Sequence, residues 1–379
     1  MCFDTTSSNT GRLSGACVIL EQLLGRPLLH LGCRHHVLEL VSLLAAAFGV
    51  RMGPSKAPEI PLFKRFQGQW ASIDQEDYQD ASSDDYVSSQ LADTRDEIIV
   101  FCEQQLQNQQ PRDDYRELLQ LVLIFLGRKQ LQSVTFRAPG PMHQARWMAR
   151  AIYSLKIWLF RSQFKLTARE SQGLRDLNIF ITKIYVKFLF LTPVASKVAW
   201  NDLKLLQQLQ SFPDRDISEA TPRKLAGQLW YLSEDLILFS LFDSDVGVAT
   251  KRAILTASME KEGGESLKRA EIQFSSVQQK TLADFVSKRS RTVFMTLGVP
   301  DGFLVVDPEL WDARDDYKAA EAINSLSVTN DHAERGVALI QDAVQSGRFK
   351  SETHAMQVIE KNRAEFPDAK KSTLLQETD

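Results

Sequence analysis

The chain has 379 residues, 44% of them hydrophobic and 25% charged, with a formal net charge of −3. That composition is ordinary for a globular protein and allows one large domain or two, with length enough for a substantial core. A balance this close to neutral carries no global sign of nucleic-acid binding, so any such contact has to come from a local patch.

The polar run that follows Met1 does not read as a signal peptide. A short apolar start ends at Asp4 and gives way to a polar turn over 5–11. A helical pattern then runs through Val18, Leu20, Leu23 and Leu24 and stops at Gly25. Pro27–Gly32 has the length and flanks of a strand, and His36–Val50 reads as a helix of almost wholly apolar composition. This strand–helix–strand–helix opening predicts two neighbouring parallel strands.

The character then changes. Gly53–Pro61 is a proline-rich connection, and Asp74–Asp85 reads as an acidic, exposed loop. Helices are expected over Asp93–Gln107, Asp113–Leu126, His143–Phe164, Ser171–Leu191, Ala195–Gln210, Pro222–Phe242 and Thr281–Thr296. Strand-like runs are confined to Ser133–Arg137 and Gly302–Val306. Thr329 or Asn330 caps a helix through His332, Glu334, Val337 and Ile340, and a last helix, Ser351–Arg363, leads to a polar tail. The longest apolar stretch, Leu177–Leu191, is broken by Lys183 and Lys187, which argues against a membrane span.

Charge is unevenly spread. Asp74–Glu97 is crowded with acids against Arg95 alone, while the bases of Arg137–Lys187 face only Glu170 and Asp176. A solvated helix face and a docking surface are both consistent with such runs. Cys2, Cys17, Cys33 and Cys102 include no CxxC pair, which fits reduced thiols in a nuclear or cytosolic compartment. Cys33 with His35 and His36 lacks a fourth ligand at zinc spacing.

The expected fold is predominantly α, with a partial α/β core interrupted by a large all-α insertion. Its segments are 1–60 (α/β), 61–90 (acidic linker), 91–300 (all-α, including the helix at 143–164), 301–365 (a return to the core) and 366–379 (a disordered tail). Asp4, at the end of the first strand, stands where a metal-binding carboxylate would, although aspartates there commonly just cap the next turn.

Four motifs in order carry a resemblance. FDTTSSNTG holds Asp4 and Asn9 in a D-x-x-x-x-N context, and LGCRHHVLEL holds Cys33 and His36 in a C-x-x-H pattern. HQARWMARAIY holds Arg146 and Trp147, and TNDHAERGVALIQ holds Glu334 and Arg335. The set resembles the hAT-like DNA transposases of RNase H-like fold.

That resemblance implies that Asp4 and Glu334 bind Mg2+ and that His36 lies near the scissile phosphate, with Cys33 setting the turn. It implies that Trp147 stacks on an extruded base, and that Arg146, with Arg150 one turn on, meets the DNA. It implies DNA as partner, a homo-oligomer and a nuclear location. The first aspartate of the family's site and its zinc-binding module have no counterpart in the sequence. The expectation is therefore a transposase-derived protein without catalytic activity. The alternatives are a helical interaction scaffold using the acidic and basic segments, and a hydrolase built on Asp4 and His35, which no G-x-S-x-G elbow supports. Trp147, on a helix with Ile152, Leu155 and Leu159, also fits a core position.

Overall fold

The computed structural model describes residues 2–11, 13–41, 43–53, 60–110, 113–128, 136–139, 149–263, 269–270, 272, 274–329, 340, 343–344 and 346–365. The chain divides into one unit of Met1–Gly140 with Trp147–Asn330 and another of Pro141–Arg146 with Asp331–Asp379.

The first unit opens with β1 (Cys2–Phe3), the single helical turn α1 (Ser7–Thr10), α2 (Ala16–Leu24) and β2 (Leu31–Gly32). The strands pair in parallel, Cys2 beside Leu31 and Phe3 beside Gly32, as the opening pattern predicts. A parallel pair needs a crossover, and α2 supplies it. Gly25 ends α2 in the left-handed region (φ 60°), its N–H donating to the Gln22 carbonyl and the Arg26 N–H to the Glu21 carbonyl. Gly32 is required for a different reason. A methyl group there would lie 2.7 Å from Cδ1 of the Trp230 ring.

Beyond β2 the unit is helical. A π turn, His36–Val41, runs into α3 (Leu43–Met52), where the sequence suggests one plain helix. Then follow α4 (Pro61–Gln69), α5 (Asp85–Leu91), α6 (Arg95–Gln107), α7 (Asp113–Phe125), α8 (Ala149–Leu159), α9 (Ala168–Phe180) and, after a second π turn, α10 (Val186–Phe190). The series continues with α11 (Val198–Gln210), α12 (Arg215–Leu225), α13 (Val248–Glu260), α14 (Thr292–Leu297) and α15 (Asp315–Ala320). The helix α3 packs on α9 and α12, and α8 lies between α7 and α9. Leu118, Val122, Leu155, Trp158, Leu174 and Phe180 are buried there. Among the described residues no helix is long and apolar enough to cross a membrane. In the second unit, α16 (Glu352–Glu365) buries Ala355.

Several expectations need correction. Residues 61–90 are not a linker among the described residues: Leu62, Phe63 and Phe66 of α4 and Val87 and Leu91 of α5 are buried. The acids there act as caps, Asp80 accepting from the Ser82 N–H and Asp84 from the Val87 N–H. The helix expected from Pro222 starts instead at Arg215, because Asp214 caps it, and it gives way to 3-10 turns after Leu225. Thr281–Thr296 is two 3-10 turns followed by α14, each turn held at its start by a side chain three residues on: the Thr281 N–H donates to the Asp284 carboxylate at 2.7 Å and the Ser287 N–H to the Ser290 hydroxyl at 3.2 Å. Gly302–Val306 is no strand; Gly302–Val305 forms a 3-10 turn that buries Phe303 among Phe242, Phe294, Trp311 and Tyr317. Residues 133–135, the helix expected at 330–339 and the tail at 366–379 lie outside the described residues.

The two charge-biased segments meet each other. Lys183 bonds Asp93 at 2.9 Å and Lys187 bonds Glu97 at 2.5 Å. Arg161 donates to the Gln79 carbonyl at 3.0 Å and to the Ser83 hydroxyl. Arg137 lies 3.0 Å from Asp113. Lys156 is buried with Glu117, donates to the Arg137 carbonyl at 2.6 Å and lies over the Trp70 ring. The surface pairs contribute little each. Lys156 differs, because a lone buried charge is costly.

Two outcomes follow for denaturation in urea. Gly32→Ala should lower stability by about 1–3 kcal/mol through overpacking against Trp230. Glu117→Leu should cost about 3–5 kcal/mol by stranding Lys156, and adding Lys156→Met should recover most of the loss.

Candidate functional site

The carboxyl ends of adjacent parallel strands are where ligands bind in open α/β sheets. Asp4 follows β1 directly, and Cys33–His36 follow β2. The Cys33 N–H donates to the Phe3 carbonyl at 2.7 Å, which carries the pairing one step past the strands and sets both segments side by side.

Asp4 is half-buried, and three donors converge on its Oδ1: the Thr6 N–H at 3.0 Å, the Thr6 hydroxyl at 2.6 Å and the Asn9 side-chain amide at 2.7 Å. Oδ2 takes no hydrogen bond among the described residues. Partial burial works against the carboxylate, but the Thr6 and Asn9 bonds and the nearby His36 outweigh it and hold its pKa below the ordinary value. Burial pushes the His36 imidazole below its ordinary value, with Asp4 offsetting part of that shift. The pair is thus an ionised carboxylate beside an imidazole held toward its neutral form.

The other side chains of this corner anchor it. Cys33 is fully buried, in keeping with a small apolar wedge. Buried Arg34 pairs with Asp202 of α11, and its N–H donates to the Val328 carbonyl at 2.8 Å. Burial raises the Asp202 pKa, and Arg34 opposes the rise. His35 Nδ1 meets the Tyr115 hydroxyl of α7. The Tyr231 hydroxyl donates to the Gly32 carbonyl at 2.8 Å. Four distant positions of the chain therefore clamp one turn.

The turn continues as the π segment His36–Val41, a geometry frequent at functional sites. Glu39 within it is buried. Burial drives the Tyr185 phenol well above its ordinary pKa; the Glu39 carboxylate adds to that rise and Arg150, in the first turn of α8, opposes it. Arg150 is half-buried and so lies within electrostatic reach of the same interior as Glu39. Arg146, Trp147, Glu334 and Arg335 lie outside the described residues. The structure bonds Asn9 to Asp4 and places His36 within electrostatic reach of that carboxylate.

Among the described residues no group of three His, Cys, Asp or Glu side chains is placed to hold a metal ion. Mg2+ takes oxygen ligands in octahedral array, and one open carboxylate oxygen beside an imidazole does not make such a site by itself.

One charged feature was missed from sequence. Arg51, at the end of α3, sits 3.1 Å from Asp216 and 3.7 Å from Asp176, and also pairs with Asp214. Burial works against its charge, but these carboxylates outweigh it and raise its pKa. They border a cavity of about 420 Å³ that Tyr86 and Phe212 also line. Its charges answer one another, so it reads as a knot tying α3 to α9 and α12. The signal available in the sequence was Asp214 as an N-cap.

Comparison with protein-family models, with curated proteins and with solved structures gave no match to this chain.

Asn9→Ala should raise the Asp4 pKa, read from the carboxyl carbon shift in an NMR titration. A depressed folded pKa gives stability that is present above the unfolded value and lost as pH falls through the folded one. For His36 that window opens below 6.5. Unfolding free energy should therefore decline as pH falls below this point, and His36→Gln should flatten that part of the profile.

Proposed function

We propose that the chain descends from a cut-and-paste DNA transposase of the hAT-like, RNase H-like kind and has no catalytic activity of its own, the Asp4–His36 corner being what it retains of a phosphodiester-directed centre. The observation that carries the reading is that Asp4 and His36, one from each of two separate motifs, follow adjacent parallel strands and lie within electrostatic reach of each other. Asn9, the other motif residue of the first segment, bonds the Asp4 carboxylate directly.

In this reading Asp4 contributes an ionised carboxylate and His36 a neutral imidazole able to exchange a proton or hydrogen bond with a phosphate oxygen. The second metal-directed carboxylate is assigned to Glu334. Trp147 receives an unpaired base, and Arg146 and Arg150 face the phosphates near it. A nuclear location goes with DNA as the partner. The DNA contact is local, because much of the basic Arg137–Lys187 run is already spent on acids and carbonyls of its own chain. The same pairing takes from the scaffold alternative many of the surfaces on which it rested.

The test is fluorescence anisotropy with a DNA hairpin carrying one unpaired base. Affinity should fall as salt rises. Trp147→Ala should weaken binding by about tenfold or more, the scale of one lost base stack. Lys165→Ala, at an exposed position of the basic run, should have little effect. Absent binding, or equal losses in the two variants, would count against the proposal.

A further inference from the structure

The helix α2 has nine residues and buries only Cys17. Its apolar side chains remain in water: Leu23 is 77% exposed, Leu24 55%, Ile19 44% and Leu20 38%, with Leu13 just before the helix at 91%. Helices this short are marginal without tertiary packing, so a face this apolar calls for a cover. We propose that the cover is a second copy of this chain, with two α2 helices packed antiparallel across a twofold axis.

Three observations select that occupant. The first is charge. The single charged residue of α2, Glu21, is turned away from the stripe, its carboxylate accepting the Leu28 N–H at 2.8 Å and lying 3.4 Å from His30 Nε2. An uncharged stripe selects no acidic or basic partner and matches another uncharged stripe.

The second is shape. At 3.6 residues per turn, Ala16, Ile19 and Leu23 lie along one line, with Leu20 and Leu24 beside it. Ala16 is exposed and small at one end, and Leu23 is exposed and large at the other. A twofold axis between Ile19 and Leu20 sets each Leu23 over the Ala16 of the other copy, a knob over a hole. An isologous interface requires such self-complementarity.

The third is area. Leu13, Ile19, Leu20, Leu23 and Leu24 expose roughly 500 Å² in each copy, so two copies offer about 1,000 Å², short of a standard interface and in keeping with a weak, concentration-dependent dimer.

The test is sedimentation velocity on the full chain over a wide concentration range. A monomer–dimer equilibrium is expected. Leu23→Glu and Ala16→Glu should each raise the dimer Kd by at least about tenfold, the scale of one leucine left unburied. Both sites are exposed, so the far-ultraviolet circular dichroism should not change. Leu310→Glu, at another exposed leucine, should leave the Kd as it was. Leu20→Cys, next to the axis, should form an intermolecular disulfide under mild oxidation, and Leu13→Cys should form far less. A chain monomeric throughout would overturn the proposal. So would open-ended aggregation without a dimer plateau, or a dimer indifferent to both stripe variants.

Discussion

One backbone hydrogen bond, from the Cys33 N–H to the Phe3 carbonyl, holds the position on which the candidate site depends. Strands of two residues bury little and pair weakly by themselves. Side chains from far along the chain make up the difference. Tyr231 bonds the Gly32 carbonyl, Asp202 holds Arg34, and Tyr115 holds His35. The helical mass thus fixes the strand pair, rather than the strand pair organising the helices. Asp4 and His36 then follow the paired strands as a consequence of register, with their pKa values moved by burial and by each other.

Charge follows the same economy of position. Acids that look in sequence like a solvated loop cap turns and helices, and several also meet bases of the opposite run. Lys156 and Glu117 carry this inward, as a buried pair beneath Trp70. A molecule that spends its charges this way has little left for a broad electrostatic surface, and recognition falls to particular side chains. The stripe on α2 is the counterpart in apolar surface, and it stands out because it gathers several exposed large apolar side chains on one short helix.

The parallel pair was legible because Gly25, the apolar flanks and the crossover length all point one way. The helices α6 and α7 were legible for a similar reason, each bounded by acids at its start and a glycine or polar break at its end. The π turn at His36–Val41 was not, since one extra residue in a turn leaves no periodic mark in an apolar run. The 3-10 turns after Leu225 and Thr281 were read as long helices because hydrophobic spacing alone does not distinguish a continuous helix from successive short turns. At Asp4 the turn-cap expectation is visible in the structure, with Oδ1 accepting from Thr6 and Asn9. The Arg51 knot was invisible because its partners lie more than a hundred residues away.

The most direct measurement is a Mn2+ titration of the full chain, following paramagnetic broadening of the His36 ring resonances by NMR. A metal-directed phosphodiester centre requires selective broadening at low Mn2+, lost in Asp4→Asn and weakened in Glu334→Gln. Uniform broadening across the spectrum, or broadening at His36 that survives Asp4→Asn, would contradict it.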